Sequence, residues 1–425
     1  MPVVRYRRAV ALIVQKYGGT SVADADRMRA VAENVAFTRA QGHAVVVVVS
    51  AMGKETDNLI ALANAVSTTQ PGREMDMLLT IGERKSMALL CMALADLGVE
   101  AVSFTGSQVG IITDNVHGKA KILEVKGDRV RAALAEGKVC VVAGFQGISL
   151  DKEITTLGRG GSDTTAVALA AAFGADSCEI YTDVTGVFSA DPRIVPSARR
   201  LARVSFEEML EMAAAGGRVL ALRSVEFARN HRVPLHVRSS FTWEPGTWVT
   251  EEDTSMEEPI ISGVTHDVAE AKVTVRNVPD RPGIAARLFR ALADANVNVD
   301  MIVQNTSVDG STDISFTVPK ADMGVAEKIV ADVADEIGAG GVTHDETIAK
   351  VSVVGSGMRT SPGIAAKVFE TMATNGVNIE MISTSTIRIT CVVARVDMER
   401  AVQALHTAFG LDSGESYAGP LPERK

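Results

Sequence analysis

The sequence predicts an α/β chain, with a mostly parallel, helix-covered sheet over residues 1–250 followed by two copies of a small β-α-β-β-α-β unit. Three observations carry this. β-branched runs, the one at 44–49 above all, end in short polar or glycine turns that open helices, an alternation that builds parallel sheets. At 425 residues, 46% hydrophobic and 22% charged, the chain has the length and composition of two to three folded domains. Finally, 282–302 aligns without gaps to 362–382, with eleven of 21 positions identical at a spacing of 80 residues.

Composition also excludes several roles. The formal net charge of −9 gives a nucleic-acid partner no electrostatic support. No run of 18 apolar residues offers a membrane span. Basic residues Arg5, Arg7 and Arg8 precede an apolar run, as in a secretory leader, but that run is too short and Gln15 and Lys16 follow it. Cys91, Cys140, Cys178 and Cys391 lie far apart in apolar surroundings without a C-x-x-C pair, which reads as buried thiols in a reducing compartment. A cytoplasmic location is expected.

The first strand, near 11–17, runs up to Lys16 and is followed by Gly18, Gly19, Thr20 and Ser21. A strand that ends in two glycines and turns into a helix presents backbone N–H groups to an anion, phosphate being the usual occupant. Lys16 adds the point charge that a transferring phosphoryl group requires. The same stretch is compatible with a plain strand–turn–helix. Residues 20–24 have the form of a capping box for a helix to about Arg39. The strand at 44–49 reads as buried on both faces, and Ser50 to Gly53 leads to a helix opening at Thr56 and Asp57.

Residues 76–97 are apolar nearly all round and read as one buried helix with a single embedded charge, Glu83. A buried carboxylate needs a cationic partner, which neighbouring Arg84 or Lys85 or a bound ligand could supply. Strands follow at 101–104 and 139–144, the second stopping at the turn 144–147. Ligand loops of open α/β sheets gather at such carboxyl ends.

The window 155–165 sets three glycines, Gly158, Gly160 and Gly161, around Arg159, with Ser162 and Asp163 as a cap for the helix that follows. Arginine can grip a carboxylate with two parallel hydrogen bonds. Neither this loop nor the first fits G-x-x-x-x-G-K-[ST] or G-x-G-x-x-G, which disfavours a P-loop ATPase and a Rossmann dehydrogenase. After a strand at 177–181, the loop 182–193 combines acidic residues, a glycine, an aromatic and an arginine, a composition suited to a nucleotide. Ser205 and Glu208 cap another helix, Gly216, Gly217 and Arg218 interrupt it, and 234–238 is a late strand. The acidic run 250–258 reads as a linker.

Each copy of the repeat places Pro-Gly at a helix start, at Pro282 and Pro362. The exposed N–H groups there could take a carboxylate, and Asp280 and Asp300 could meet an ammonium; a small amino acid carries both. A turn within a dimerisation module fits the same residues. The strand at 260–264 could complete either copy.

Together, Lys16 to Ser21, Ser50 to Gly53, Gly82 with Glu83, Gly144 to Gly147, Thr155 to Asp163 and the tandem repeat resemble the aspartokinases, members of the amino acid kinase family that carry C-terminal ACT modules. The resemblance covers essentially the whole chain. It implies an αβα sandwich of the amino acid kinase type over 1–250, a linker or shared strand at 251–264, and ferredoxin-like ACT modules at 265–346 and 347–425. It implies ATP-dependent phosphorylation of the side-chain carboxylate of L-aspartate, with ATP and Mg2+ as cofactors. No protein-held metal site is expected.

By resemblance, Lys16 and Asp163 are catalytic. Lys16, Tyr17, Gly18, Gly19, Thr182, Asp183, Phe188, Ser189, Ala190, Asp191, Pro192, Arg193, Arg218 and Val219 would bind the nucleotide. Aspartate would be held by Ser50, Thr56, Glu83, Arg159, Gly160, Gly161 and Ser162. Effector binding would fall to Asp280, Gly283, Ala285, Asn298, Val299, Asp300 and Gln304 in the first repeat, and to Asn378, Ile379, Ser385 and Thr386 in the second. Phe188 stands where many relatives have tyrosine and Arg218 where they have lysine, a swap that is not neutral at a phosphate contact. Lysine and threonine are the implied effectors. The implied assembly is a homo-oligomer or one with a shorter regulatory form of the chain, such as a start at Met256 would yield. The rival readings are a kinase of another small carboxylate, such as glutamate, and a non-catalytic amino-acid sensor.

Overall fold

The computed structural model of the chain describes residues 11–251, 261–305, 310–359 and 361–412. Residues 252–258 of the expected linker, Met256 among them, lie outside these residues, as do the arginines before the first strand.

The strands of the first part are β1 (Leu12–Tyr17), β2 (Ala44–Val49), β3 (Ala101–Phe104), β4 (Ile111–Thr113), β5 (Ile122–Val125), β6 (Val139–Ala143), β7 (Gln146–Ser149), β8 (Ile154–Thr156), β9 (Ser177–Thr182), β10 (Arg203–Ser205), β11 (Leu235–Ser239) and β12 (Thr247–Thr250). Eight of them form one sheet in the order β10-β12-β11-β9-β1-β2-β6-β3. Every pairing in it is parallel except β11 with β12. Side chains alternate across a strand, so β2 feeds two cores. Val46 and Val48 pack on one side of the sheet and Val45, Val47 and Val49 on the other.

The helices of this part are α1 (Ala25–Ala40), α2 (Glu55–Val66), α3 (Gly72–Leu79), α4 (Ile81–Asp96), α5 (Gly106–Val109), α6 (Asp128–Ala135), α7 (Gly161–Phe173), α8 (Phe206–Ala214) and α9 (Leu222–His231). α1 and α4 cover one face of the sheet with Met28, Val35, Leu90 and Leu94, while α7, α8 and α9 cover the other. A smaller sheet, β5-β4-β7-β8, stands beside them.

Three local expectations need correction. Residues 19–22 form a 3-10 turn, and α1 starts later, because the Asp24 carboxylate accepts from Arg27 N and caps it there. The stretch 76–97 is not one helix. It breaks at Thr80, whose carbonyl accepts from the Gln146 side chain instead of continuing the helix, and Ile81, Leu89 and Met92 face outward. Ser162 and Asp163 do not cap α7, which starts at Gly161, and both lie in its first turn. The box of Ser205 and Glu208 is present as read.

The second part contains β13 (Gly263–Asp267), β14 (Glu270–Pro279), β15 (Ile302–Gln304), β16 (Ser311–Pro319), β17 (Gly341–Asp345), β18 (Ile348–Val354), β19 (Ile379–Thr384) and β20 (Arg388–Ala394). Its helices are α10 (Ile284–Asp294), α11 (Met323–Ile337), α12 (Ile364–Thr374) and α13 (Met398–Ala408). Two antiparallel sheets result, β15-β16-β14-β17 and β13-β18-β20-β19. β13 and β17 share the sequence Gly-Val-Thr-His-Asp, and each leads into one repeat while pairing in the other. Val264 lies opposite Val353, and Val342 opposite Val275, so the exchange is symmetric. The first repeat is thereby enclosed, in chain order, between two strands of the second sheet.

Candidate active site

The carboxyl ends of β1, β2, β6 and β9 meet along one edge of the large sheet. Lys16 lies in register with Val48 of β2 and Ile180 of β9. Its Nζ is 2.6 Å from Asp163 Oδ1 in the first turn of α7, both side chains being largely buried. That helix start also favours negative charge. Tyr17, one position on, points to the opposite face, where its ring stacks on Tyr181. The structure brings its backbone, not its side chain, to the edge: the Tyr17 carbonyl accepts from Ser50 N.

The glycine turn fits closely. Gly18 N donates to the Tyr181 carbonyl, so one of the two N–H groups expected to be free is engaged within the sheet. Gly53 N donates to the Gly19 carbonyl at 3.0 Å, holding the turns after β1 and β2 together. A Cβ on Gly19 would stand 2.9 Å from the Ala51 carbonyl, so only glycine permits this approach.

Glu83, in the first turn of α4, is 4% exposed. Its Oε1 accepts from Ala51 N at 3.1 Å, and Oε2 has no partner among the described residues. Burial pushes its carboxyl up to about 7, against two backbone hydrogen bonds that lower it. Neither Arg84 nor Lys85 neutralises it: Arg84 donates to Gln146 and Lys85 pairs with Glu55. A buried carboxylate oxygen without a donor, held beside the turn after β2, offers an acceptor to a cationic group.

Arg159 projects from an exposed loop between Gly158 at φ +77° and Gly160 at φ +71°, and among the described residues no carboxylate pairs with it. Ser162 is buried beside Gly144, and Thr56 is in the first turn of α2. One carboxylate oxygen without a donor, bound through its other oxygen to the turn after β2, and one guanidinium without a carboxylate, on the loop that enters α7, thus stand on the elements next to those carrying Lys16 and Asp163. Together these groups can hold an α-amino acid by both ends and a phosphate chain beside it.

The residues expected to hold the nucleotide divide. Thr182, the last residue of β9, donates to the carboxylate of Asp183, where the loop begins. Arg193 clasps Asp191 through Nε and Nη2, which holds the Asp191 carboxyl below its usual range. Pro192 and Arg218 are exposed, Phe188 bridges to Arg200, and Val219 packs on the core. Ser189 and Ala190 turn away from the sheet edge. Ser189 Oγ bonds His406 of α13, and Ala190 packs in the core of the second repeat.

The expected effector residues are dispersed. Asp280, Gly283 and Ala285 surround the start of α10, while Asn298, Gln304, Asn378 and Thr386 are exposed. Val299 and Ile379 pack on the cores of their own repeats. Asp300 accepts from Lys350 Nζ of β18 at 2.7 Å, an ion pair between the two repeats. Ser385 donates to Glu211 of α8, which also pairs with Arg388, so this turn of the second repeat rests on the first part of the chain.

The sequence reading missed the distant partners of three charged groups near these sites: buried Asp76 and Glu208, and half-buried Arg223. Glu208 not only caps α8 but accepts from Ser356 N and Ser262, fastening the second repeat to α8.

Residues 11–239 match the amino acid kinase family model, and 273–333 and 351–409 match the ACT domain. The chain is 57% identical over 420 residues to an aspartokinase of Mycobacterium tuberculosis, covering 96% of this chain and 99% of that one. Escherichia coli aspartokinase III in complex with aspartate and ADP superposes with a TM-score of 0.79 at 26% identity, over 93% of this chain and 99% of that chain. The same enzyme in complex with lysine and aspartate superposes with a TM-score of 0.72 at 26% identity, over 94% and 99%.

Proposed function

The chain belongs to the amino acid kinase family, among its aspartokinases, and from that premise we propose how its sheet edge works. It is an aspartate kinase: it transfers the γ-phosphoryl of ATP to the side-chain carboxylate of L-aspartate, giving 4-phospho-L-aspartate. Lysine restrains it through the ACT modules.

The unpartnered Oε2 of buried Glu83 carries the residue-level reading. It takes the substrate ammonium, which draws Glu83 into its ionised form. Arg159 takes the α-carboxylate with two parallel N–H donors. Ser50, Thr56 and Ser162, with the backbone of Gly160 and Gly161, shape the space between. The side-chain carboxylate then points toward Lys16.

Lys16 and the backbone N–H of Gly19 receive the phosphates, the Gly18 N–H being engaged by the Tyr181 carbonyl. Thr182, Asp183, Phe188, Asp191 and Arg193 receive the rest of the nucleotide, for which Arg193 exchanges Asp191 for phosphate. Asp163 keeps the Lys16 ammonium aimed at the transferring group. The protein forms no covalent bond; it aligns two anions and neutralises their charge. Mg2+ would supply further neutralisation of the phosphate charge during transfer. Asp163 is the carboxylate beside the phosphate site that could reach it.

Threonine joins lysine as effector in this reading, and the chain works as an oligomer in which paired ACT modules hold the effectors. An assay of ADP release with aspartate and glutamate tests the whole: turnover with aspartate and little with glutamate supports it. Turnover with glutamate alone would replace aspartate as substrate, and no turnover would leave an amino-acid sensor.

A further inference from the structure

We propose that Asp76 is a positioning residue that fixes where Arg159 stands relative to Glu83, and so sets the length of amino acid accepted. The inference rests on the reading of Arg159 and Glu83 as the two ends of the substrate clamp.

Asp76 lies on α3 and is only 1% exposed. Among the described residues no lysine or arginine pairs with it, and its oxygens are met by hydrogen-bond donors and the His117 ring. Oδ1 accepts from Thr156 Oγ1 at 2.5 Å and from Gly118 N at 3.1 Å, and Oδ2 meets His117 Nδ1 at 2.7 Å. Taking a carboxylate out of water is costly unless such donors replace it.

The partners are placed tellingly. Thr156 ends β8, three residues before Arg159, with Gly158 at φ +77° between them. A glycine-flanked loop has little stiffness of its own, so its root decides where the arginine stands. The far side of that root is also held: Arg223 donates to the Leu157 carbonyl at 3.0 Å and to the Ala120 carbonyl at 2.9 Å. In the other direction, α3 ends at Thr80 and Glu83 follows in the first turn of α4. One buried carboxylate thus joins the carrier of the ammonium receptor to the carrier of the carboxylate receptor.

The test compares Thr156→Val, which removes the hydroxyl donor while keeping the shape, with Thr156→Ser, which keeps the donor, and with Asp76→Asn. Thr156→Val should raise the aspartate KM at least tenfold and leave the ATP KM within about twofold. It should also narrow the preference for aspartate over glutamate, and Thr156→Ser should restore it. The proposal is overturned if folded Thr156→Val and Asp76→Asn proteins keep the wild-type aspartate KM. It is equally overturned if both KM values and kcat change in proportion to lost thermal stability, since a purely structural role does that. Arg159→Ala separates the premise from the inference. A raised aspartate KM in Arg159→Ala beside an unchanged one in Thr156→Val removes only the inference. An unchanged KM in Arg159→Ala removes the clamp reading and the proposal with it.

Discussion

Lys16 Nζ stands 2.6 Å from Asp163 Oδ1, joining the end of β1 to the first turn of α7 across the sheet edge. The contact keeps the ammonium oriented. Removing one donor that meets developing charge typically costs about 10²–10³ in rate. Lys16→Ala is therefore expected to fold normally, as judged by its circular dichroism and melting curve, and to lower kcat by at least that factor. Asp163→Asn should lower kcat while leaving the aspartate KM nearly unchanged, because it touches the lysine and not the substrate clamp.

Glu83 gives a pH dependence with a definite sign. Its folded-state carboxyl is raised from 4.5 to about 7, so between those values the folded chain holds more protons than the unfolded one. Stability from this group is greatest in acid and falls as pH rises through that window, by on the order of 3 kcal/mol in total. Glu83→Gln should thus melt higher than the parent chain above pH 7. For binding the sign reverses: kcat/KM for aspartate should rise with pH through about 7 as the free carboxylate ionises, and Glu83→Gln should lose that rise. Melting curves and aspartate titrations across pH 5.5–8.5 measure both.

Glu211 pairs with Arg388 at 2.9 Å and accepts from Ser385, so the second ACT module rests on α8 of the catalytic part. Allosteric coupling of about 1–3 kcal/mol is enough for feedback, and contacts of this kind can carry it. Glu211→Ala should raise the lysine concentration for half-inhibition at least several-fold while uninhibited turnover stays near normal. Lysine titrations of activity measure it.

Asp300 is engaged by Lys350, which is itself 3% exposed. An effector ammonium arriving at Asp300 must compete with that lysine. Lys350→Met should change the response to lysine or threonine while leaving aspartate phosphorylation without effectors intact. Titrating the effectors singly and together on both proteins distinguishes the two. Flat curves for both on the parent chain would contradict a regulatory role for threonine and for Asp300.

Much of this was legible in the sequence for physical reasons. β2 is a run of valines, and only a strand buried on both faces of a parallel sheet tolerates that. Lys16 before two glycines and Arg159 among three are polar breaks in apolar patterns, and those breaks mark strand ends. Less legible was anything decided by distant partners. The break at Thr80 depends on a side chain 66 residues away, and the burial of Asp76 on a hydroxyl 80 residues away. The shared pentapeptide of β13 and β17 was readable in the sequence, yet nothing local says that each pairs in the other repeat's sheet. Ser189 lay in a plausible nucleotide loop, but His406 of α13 claims its hydroxyl.

The most direct test is a crystal structure with aspartate and ADP bound. The account predicts the aspartate ammonium at Glu83 Oε2, its α-carboxylate on the Arg159 guanidinium, and the ADP phosphates against Lys16 and the Gly18–Gly19 turn. Aspartate bound away from Glu83 and Arg159, or phosphates bound away from Lys16, would contradict it.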